Sequence, residues 1–223
     1  MDCRLHRPSR CLINLYDEML RRIGIIGLIM AMSSVCACHV AAQTSWPDSL
    51  VSWRDSLAFL NEQIRVQPTS TDLRLRKAAV NIELGQWEYA IDEYGRVLEL
   101  DPKSLAAHFF RAYAHGQLRH FDQARSDYEA VLSVVPRHFE AQLGLAMTFR
   151  SMGKRTETLD RLNLLVEQHP DSALSWAARA DYETELQQLE PALYDWDEAL
   201  RRDPQNVSFQ ASRKEVVRRI RRR

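Results

Sequence analysis

The stretch Thr71 to Ser104 reads TDLRLRKAAVNIELGQWEYAIDEYGRVLELDPKS, two short apolar periodicities separated by a turn. Ala78 sits in the first half. Gly85-Gln86 interrupts the pattern, and Trp87, Ala90, Tyr94 and Val97 resume it at spacings of three and four. Such spacings put side chains on one stripe of a helix, so this stretch predicts two antiparallel helices. Pro102 closes the second half, because proline disfavours helical geometry at the residue before it. The same ending recurs: Pro68, Pro102, Pro136, Pro170 and Pro204 stand 34 residues apart, and one supersecondary unit has been copied along the chain.

Aligned on those prolines, other positions move in step. Ala78, Ala112, Ala146 and Ala180 fall at place 8 of the unit, and Ala90, Ala124, Thr158 and Ala192 at place 20. Bulky rows follow: Tyr94, Tyr128, Leu162, Trp196; Val97, Val131, Leu165, Ala199; Leu98, Leu132, Val166, Leu200. Small residues let two helices approach closely, and the bulky rows fill the space beside them. An irregular bundle would not keep small, bulky and proline rows in one register.

This pattern resembles the tetratricopeptide repeat family, most closely in Gly85-Gln86-Trp87-Glu88-Tyr89-Ala90-Ile91 and Leu98-Glu99-Leu100-Asp101-Pro102. The resemblance spans four copies, 71–104, 105–138, 139–172 and 173–206. It implies an all-α chain, a right-handed α-solenoid of antiparallel helix pairs. Arg155 and Thr158 depart from the third copy's aromatic and alanine, and Gln187 from the fourth copy's turn glycine, so looser crossings are expected there. Residues 43–70 read as a partial leading unit, with Leu50, Trp53, Leu57, Leu60 and Ile64 at helical spacing. Residues 207–223 read as a capping helix with a basic tail.

Residues 1–42 differ in kind. Arg21-Arg22, the apolar run Ile23 to Met32 and the small residues Val40-Ala41-Ala42 predict a secretory signal cut before Gln43, with Met19 as an alternative start. The leader style implies a bacterial envelope protein, periplasmic or secreted. Val35-Cys36-Ala37-Cys38 loosely resembles a lipobox, and lipidation at Cys38 would make the protein an outer-membrane-tethered lipoprotein. All four cysteines lie in this leader, so a chain cut at Gln43 has no thiol chemistry.

Removing the leader takes five of 30 basic and three of 30 acidic residues, leaving 25 against 27 and a formal charge of −2. No global field favours nucleic acid. The local exception is Val216 to Arg223, with five arginines in eight residues. It supports an alternative reading as a nucleic-acid or anionic-lipid binder, and a third reading is a non-catalytic subunit of an envelope enzyme complex.

No phosphate loop, nucleophile elbow or zinc helix appears, so no catalytic residue, cofactor, metal site or small-molecule substrate is expected. Asp195, Asp197 and Glu198 read as a solvated helix face, and His108, His115, His120, His138 and His169 as structural or surface groups. Function is then expected on the concave face. The resemblance places that face at Leu75, Ala79 and Ile82; Phe109, Tyr113 and Gln117; Glu140, Leu143, Met147 and Arg150; and Leu174, Ala177, Asp181 and Glu185. The clamp that chaperone-binding members use on a terminal carboxylate is missing, since Leu75, Ala79, Phe110, Glu140 and Gly144 occupy its places. The expectation is a non-enzymatic scaffold binding another protein's peptide or amphipathic helix through Leu75, Ile82, Phe109, Tyr113, Gln117, Leu143, Met147 and Arg150. Coverage of this face by the protein's own leading helix is the competing expectation.

Overall fold

The computed structural model describes residues 50–222. The signal sequence, the Met19 start, the cut before Gln43 and lipidation at Cys38 fall outside the described residues. Ten helices and no strand lie within them: α1 (Leu50–Val66), α2 (Thr71–Glu83), α3 (Trp87–Leu100), α4 (Leu105–Gln117), α5 (Phe121–Val134), α6 (Phe139–Ser151), α7 (Arg155–Gln168), α8 (Ala173–Glu185), α9 (Leu189–Arg202) and α10 (Val207–Ile220). None of them is long and apolar enough to cross a membrane.

The punctuation of each copy has a local cause. The residue before each proline inside the array leaves helical geometry, as at Asp101 (φ −135°, ψ 88°), Val135 (φ −124°, ψ 82°), His169 (φ −131°, ψ 57°) and Asp203 (φ −135°, ψ 77°), so the second helix stops there. The proline then occupies the second position of a turn closed by Ser70 N–H to Gln67 O, Ser104 to Asp101, His138 to Val135, Ser172 to His169 and Asn206 to Asp203. The turn delivers a cap. Ser70 and Ser104 Oγ, His138 Nδ1 and Asn206 Oδ1 each accept the N–H three residues on, opening the next first helix.

The turn inside each copy is equally regular. Gly85 (φ 69°), Arg119 (φ 62°), Gly153 (φ 73°) and Gln187 (φ 62°) all hold place 15 in the left-handed region. The following N–H reaches back to the carbonyl of Asn81, His115, Phe149 or Glu183, which satisfies a helix-end acceptor.

The chain divides into two compact units, whose described parts are residues 50–148 and 149–222. In the first, α2 packs on α1 and α3, and α4 on α3 and α5. Ala78, Ala90, Ala112 and Ala124 are fully buried at the crossings, Tyr94 stacks on Phe110 with centroids 6.1 Å apart, and Tyr128 points at Gly144. A Cβ on Gly144 would come within 2.5 Å of the Tyr128 ring, so only glycine lets this ring in. In the second unit, α8 packs on α7 and α9, and α10 on α9. Its core gathers Ala177, Ala180, Leu189, Trp196, Ala199, Phe209 and Val216. Thr158, expected to loosen its crossing, is fully buried with its hydroxyl donating to the Lys154 carbonyl at 2.7 Å.

Candidate partner-binding face

Two sets of polar contacts fix how each first helix is presented. At place 4, five side chains of four kinds reach the carbonyl of the preceding repeat proline. Arg74 Nη2 donates to Pro68 at 2.7 Å, Gln142 Nε2 to Pro136 at 2.7 Å, Trp176 Nε1 to Pro170 at 2.8 Å and Gln210 Nε2 to Pro204 at 2.7 Å, while His108 Nε2 lies 3.3 Å from Pro102 O. Each contact ties the start of a first helix to the turn before it and satisfies a carbonyl that the proline turn leaves open.

The second set joins place 7 of the first helix to place 23 of the second. Lys77 donates to Glu93 at 2.8 Å, Arg111 to Asp127 at 2.7 Å through two nitrogens, and Arg179 to Asp195 at 2.6 and 2.8 Å. Arg74 adds a bond to Glu93 at 3.0 Å, and His108 Nδ1 lies 2.8 Å from Asp127. The third copy has Leu145 and Arg161 at these places, and Arg161 lies over the Phe149 ring at 5.8 Å. Asp195 is thus not part of a solvated face: it is 1% exposed, and Glu198 is buried beside Arg201 and Arg202.

Burial also shifts protonation. Glu183, at place 11 of the fourth copy, is pushed up to about 7 by burial first and by the neighbouring Asp195 second. His115, at the same place of the second copy, is lowered by burial, which outweighs the attraction of Asp127.

The expected binding residues do not share one fate. In residues 50–148, Phe109 is 0% exposed: it meets Phe110 edge-on at 5.1 Å, Tyr128 at 5.8 Å and the stacked His138 ring at 5.5 Å. A ring enclosed in that way is an internal packing element, so Phe109 is corrected from an open anchor to part of the floor. Leu75, Ile82 and Leu143 are buried, and Tyr113 is buried with its ring edge-on to Trp87 at 5.9 Å. Gln117 is exposed and Met147 half-buried. In residues 149–222, Arg150 is buried, donates to Asp181 at 3.0 Å and to Glu185, and lies 5.5 Å over the Tyr182 ring. Arg150 is therefore an internal clamp. Leu174 is half-buried and Ala177 fully buried.

The basic tail is partly neutralised. Arg218 and Arg219 both bridge Glu215, and Arg213 pairs with Asp197. Among the described residues no group of three or more His, Cys, Asp and Glu side chains is arranged to hold a metal ion.

Two stretches, residues 72–104 and 111–158, match the tetratricopeptide repeat. The chain is 29% identical over 124 residues to the small glutamine-rich tetratricopeptide repeat-containing protein 2 of Saccharomyces cerevisiae, covering 55% of this chain and 35% of that protein. It thus spans about a third of that relative's length. Among solved structures, MamA 41-end from Desulfovibrio magneticus RS-1 superposes with a TM-score of 0.64 at 13% identity, covering 90% of this chain and 99% of that one. YrrB, described as a TPR protein with an unusual peptide-binding site, gives a TM-score of 0.61 at 15% identity, covering 93% of this chain and all of that one. Residues 72–104 and 111–158 therefore match tetratricopeptide repeats, and the chain has the all-α solenoid fold of these structures.

Proposed function

We propose that this chain is a non-enzymatic adaptor of the bacterial cell envelope, exported by its leader, that binds a peptide or amphipathic helix of another protein on the first-helix face. The observation that carries this reading is the separation of tasks within each copy. Places 4, 7, 8, 20, 23 and 24 are taken up by packing and by internal polar contacts. Places 9, 12 and 13 differ between copies, with Ala79, Ile82 and Glu83; Tyr113, Gly116 and Gln117; Met147, Arg150 and Ser151; Asp181, Thr184 and Glu185, and at place 13 Glu83, Gln117 and Ser151 are exposed. Variation on one face of a fixed frame is what a recognition surface requires. The peptide-binding site in the description of YrrB is in keeping with this use of the fold.

Crosslinking in intact cells, followed by identification of the captured protein, tests the reading. Gln117→Arg combined with Met147→Glu alters the accessible part of the face without entering the buried rows, and capture is expected to fall while the melting curve stays in place. N-terminal sequencing of the native protein is expected to start at Gln43, or at a lipidated Cys38; an intact Met1 on an envelope-free product would contradict the export half. The arginine tail is the second reading. The pairing of Arg218 and Arg219 with Glu215 weighs against it, because one of these two charges is balanced within the helix and the remainder attracts phosphate less strongly.

A further inference from the structure

We infer that the edge of residues 50–148 formed by the proline turns is an interface, and that its occupant is a second copy of this chain related by a twofold axis. The inference stands apart from the first-helix reading, since none of the residues that carry it lies on a first helix. At place 30, where each second helix ends, the side chain is apolar and open: Val66 is 67% exposed, Leu100 45% and Val134 63%, with Val135 adding 37%. The exposed Pro68, Pro102 and Pro136 follow them in the chain. One exposed valine is ordinary, but a row in register makes a contiguous apolar patch, and such patches mark association. Pro68 and Leu100, from successive turns, line one cleft of about 360 Å³ together with Glu99. The repeat sets Pro102 beside Val134 in the same way.

Nothing in the repeat asks for apolar residues at this place. The buried rows of the second helices are Ala90 and Ala124, Tyr94 and Tyr128, and Val97 and Val131, so the place 30 side chains are spare to internal packing. In residues 149–222 the same place holds Gln168 and Arg202, which end their helices equally well. The charge around the row decides the occupant. Arg65 is balanced by Glu62 at 2.7 Å. The turns then contribute Glu99 and Asp101 against Lys103 and Arg137, two of each sign. An anionic bilayer calls for an excess of cations, and a strongly charged peptide for an excess of the opposite sign; this edge has neither. A charge-balanced surface with an apolar centre complements itself. A twofold axis through Leu100 sets Val66 of each copy against Val134 of the other, and Lys103 of each against Glu99 and Asp101 of its mate.

Sedimentation equilibrium on the protein purified as it exists in the cell is the test, run up to about 100 μM so that an interface of micromolar affinity is filled. The mass is expected to approach that of two chains. Leu100→Glu with Val134→Glu puts carboxylates into the row and is expected to return it to that of one chain, weakening association at least about a hundredfold. Tyr89→Glu, which alters a ring 64% exposed near the other end of α3, is expected to change nothing. A photo-crosslinking residue at position 66 is expected to attach near Val134 of the second copy, and one at position 100 near Leu100. Melting curves establish that each variant is folded, and dilution of the unaltered protein reads the same equilibrium without a substitution. One chain throughout the concentration range overturns the inference, as does a dimer indifferent to the double variant. A monomer that cosediments with phosphatidylglycerol vesicles, and loses them in the double variant, overturns it in favour of a lipid surface.

Discussion

The second copy (α4 and α5) and the fourth (α8 and α9) are built on the same frame yet bury opposite chemistry at one position. In both, an alanine at place 8 is fully buried, an arginine at place 7 grips an aspartate at place 23 and a left-handed turn is made without glycine. At place 11 the second copy has His115 and the fourth has Glu183. Asp127 acts on His115 as an opposite charge, favouring its protonated form, whereas Asp195 faces a second carboxyl, that of Glu183. The comparison teaches that the repeat specifies geometry, whereas the charge enclosed in each pair is chosen copy by copy.

Removing the aspartate from either pair is the harshest break. Asp127→Ala and Asp195→Ala each strand a partly buried guanidinium, and a loss of about 2–4 kcal/mol is expected in urea unfolding. Arg179→Leu combined with Asp195→Leu should be milder than Asp195→Ala alone, because the stranded charge is gone and the third copy already carries Leu145 at place 7. Equal losses for the single and double variants would mean that the pair is not the source of the effect.

Overpacking comes next. Ala112→Leu and Ala180→Leu insert a branched side chain where nothing is exposed, so each should lower stability by about 1–3 kcal/mol. A thermal melt unchanged for one of them would show that the two copies do not share the crossing.

The place 11 residues give the comparison its sign. Glu183 binds its proton more tightly folded than unfolded, from an ordinary value of 4.5 to about 7, so its contribution to stability is present at low pH and is lost as pH rises between those values. His115 binds its proton less tightly when folded, so its contribution falls away as pH drops below its ordinary 6.5. Melting temperature against pH should therefore lose part of its decline toward neutral pH in Glu183→Gln and part of its acid-side decline in His115→Gln. Both variants retaining the wild-type profile would show that these groups do not titrate with folding.

The smallest effect is a gain. Arg119 and Gln187 hold φ at 62°, where side chains with a Cβ are strained, while Gly85 and Gly153 fill the same place with nothing within 4 Å of an added Cβ. Arg119→Gly and Gln187→Gly are each expected to raise stability by about 0.5–1 kcal/mol, the relief of strain exceeding the added chain entropy. A loss in denaturant titration would assign the side chains a contact that outweighs the strain.

What could be read from the chain follows the same division. The fold class was legible in the proline, alanine and bulky rows, because helix stops and close crossings each demand one kind of residue. The place 4 contacts were not, since arginine, histidine, glutamine and tryptophan share only a ring, guanidinium or amide nitrogen that reaches a carbonyl. The ion pairs leave a readable trace, opposite charges sixteen residues apart in three copies, and it is the spacing of Asp195 to Arg179, not its place beside Asp197 and Glu198, that puts it between helices. The binding face was legible as a register but not as an accessible surface. Whether Phe109 is open depends on the bulk of Phe110, Tyr128 and His138 around it, which no position within one copy reveals.

The central claim, that the first-helix face meets the partner, is tested most directly by placing a photo-crosslinking residue at Gln117 and, separately, at Glu129, then irradiating intact cells. Both positions are exposed and lie in the same copy, one on the first helix and one on the second. A discrete crosslinked species from position 117 and none from position 129 is the expected result. The same species from position 129 alone would move the partner to the second-helix side and contradict the account.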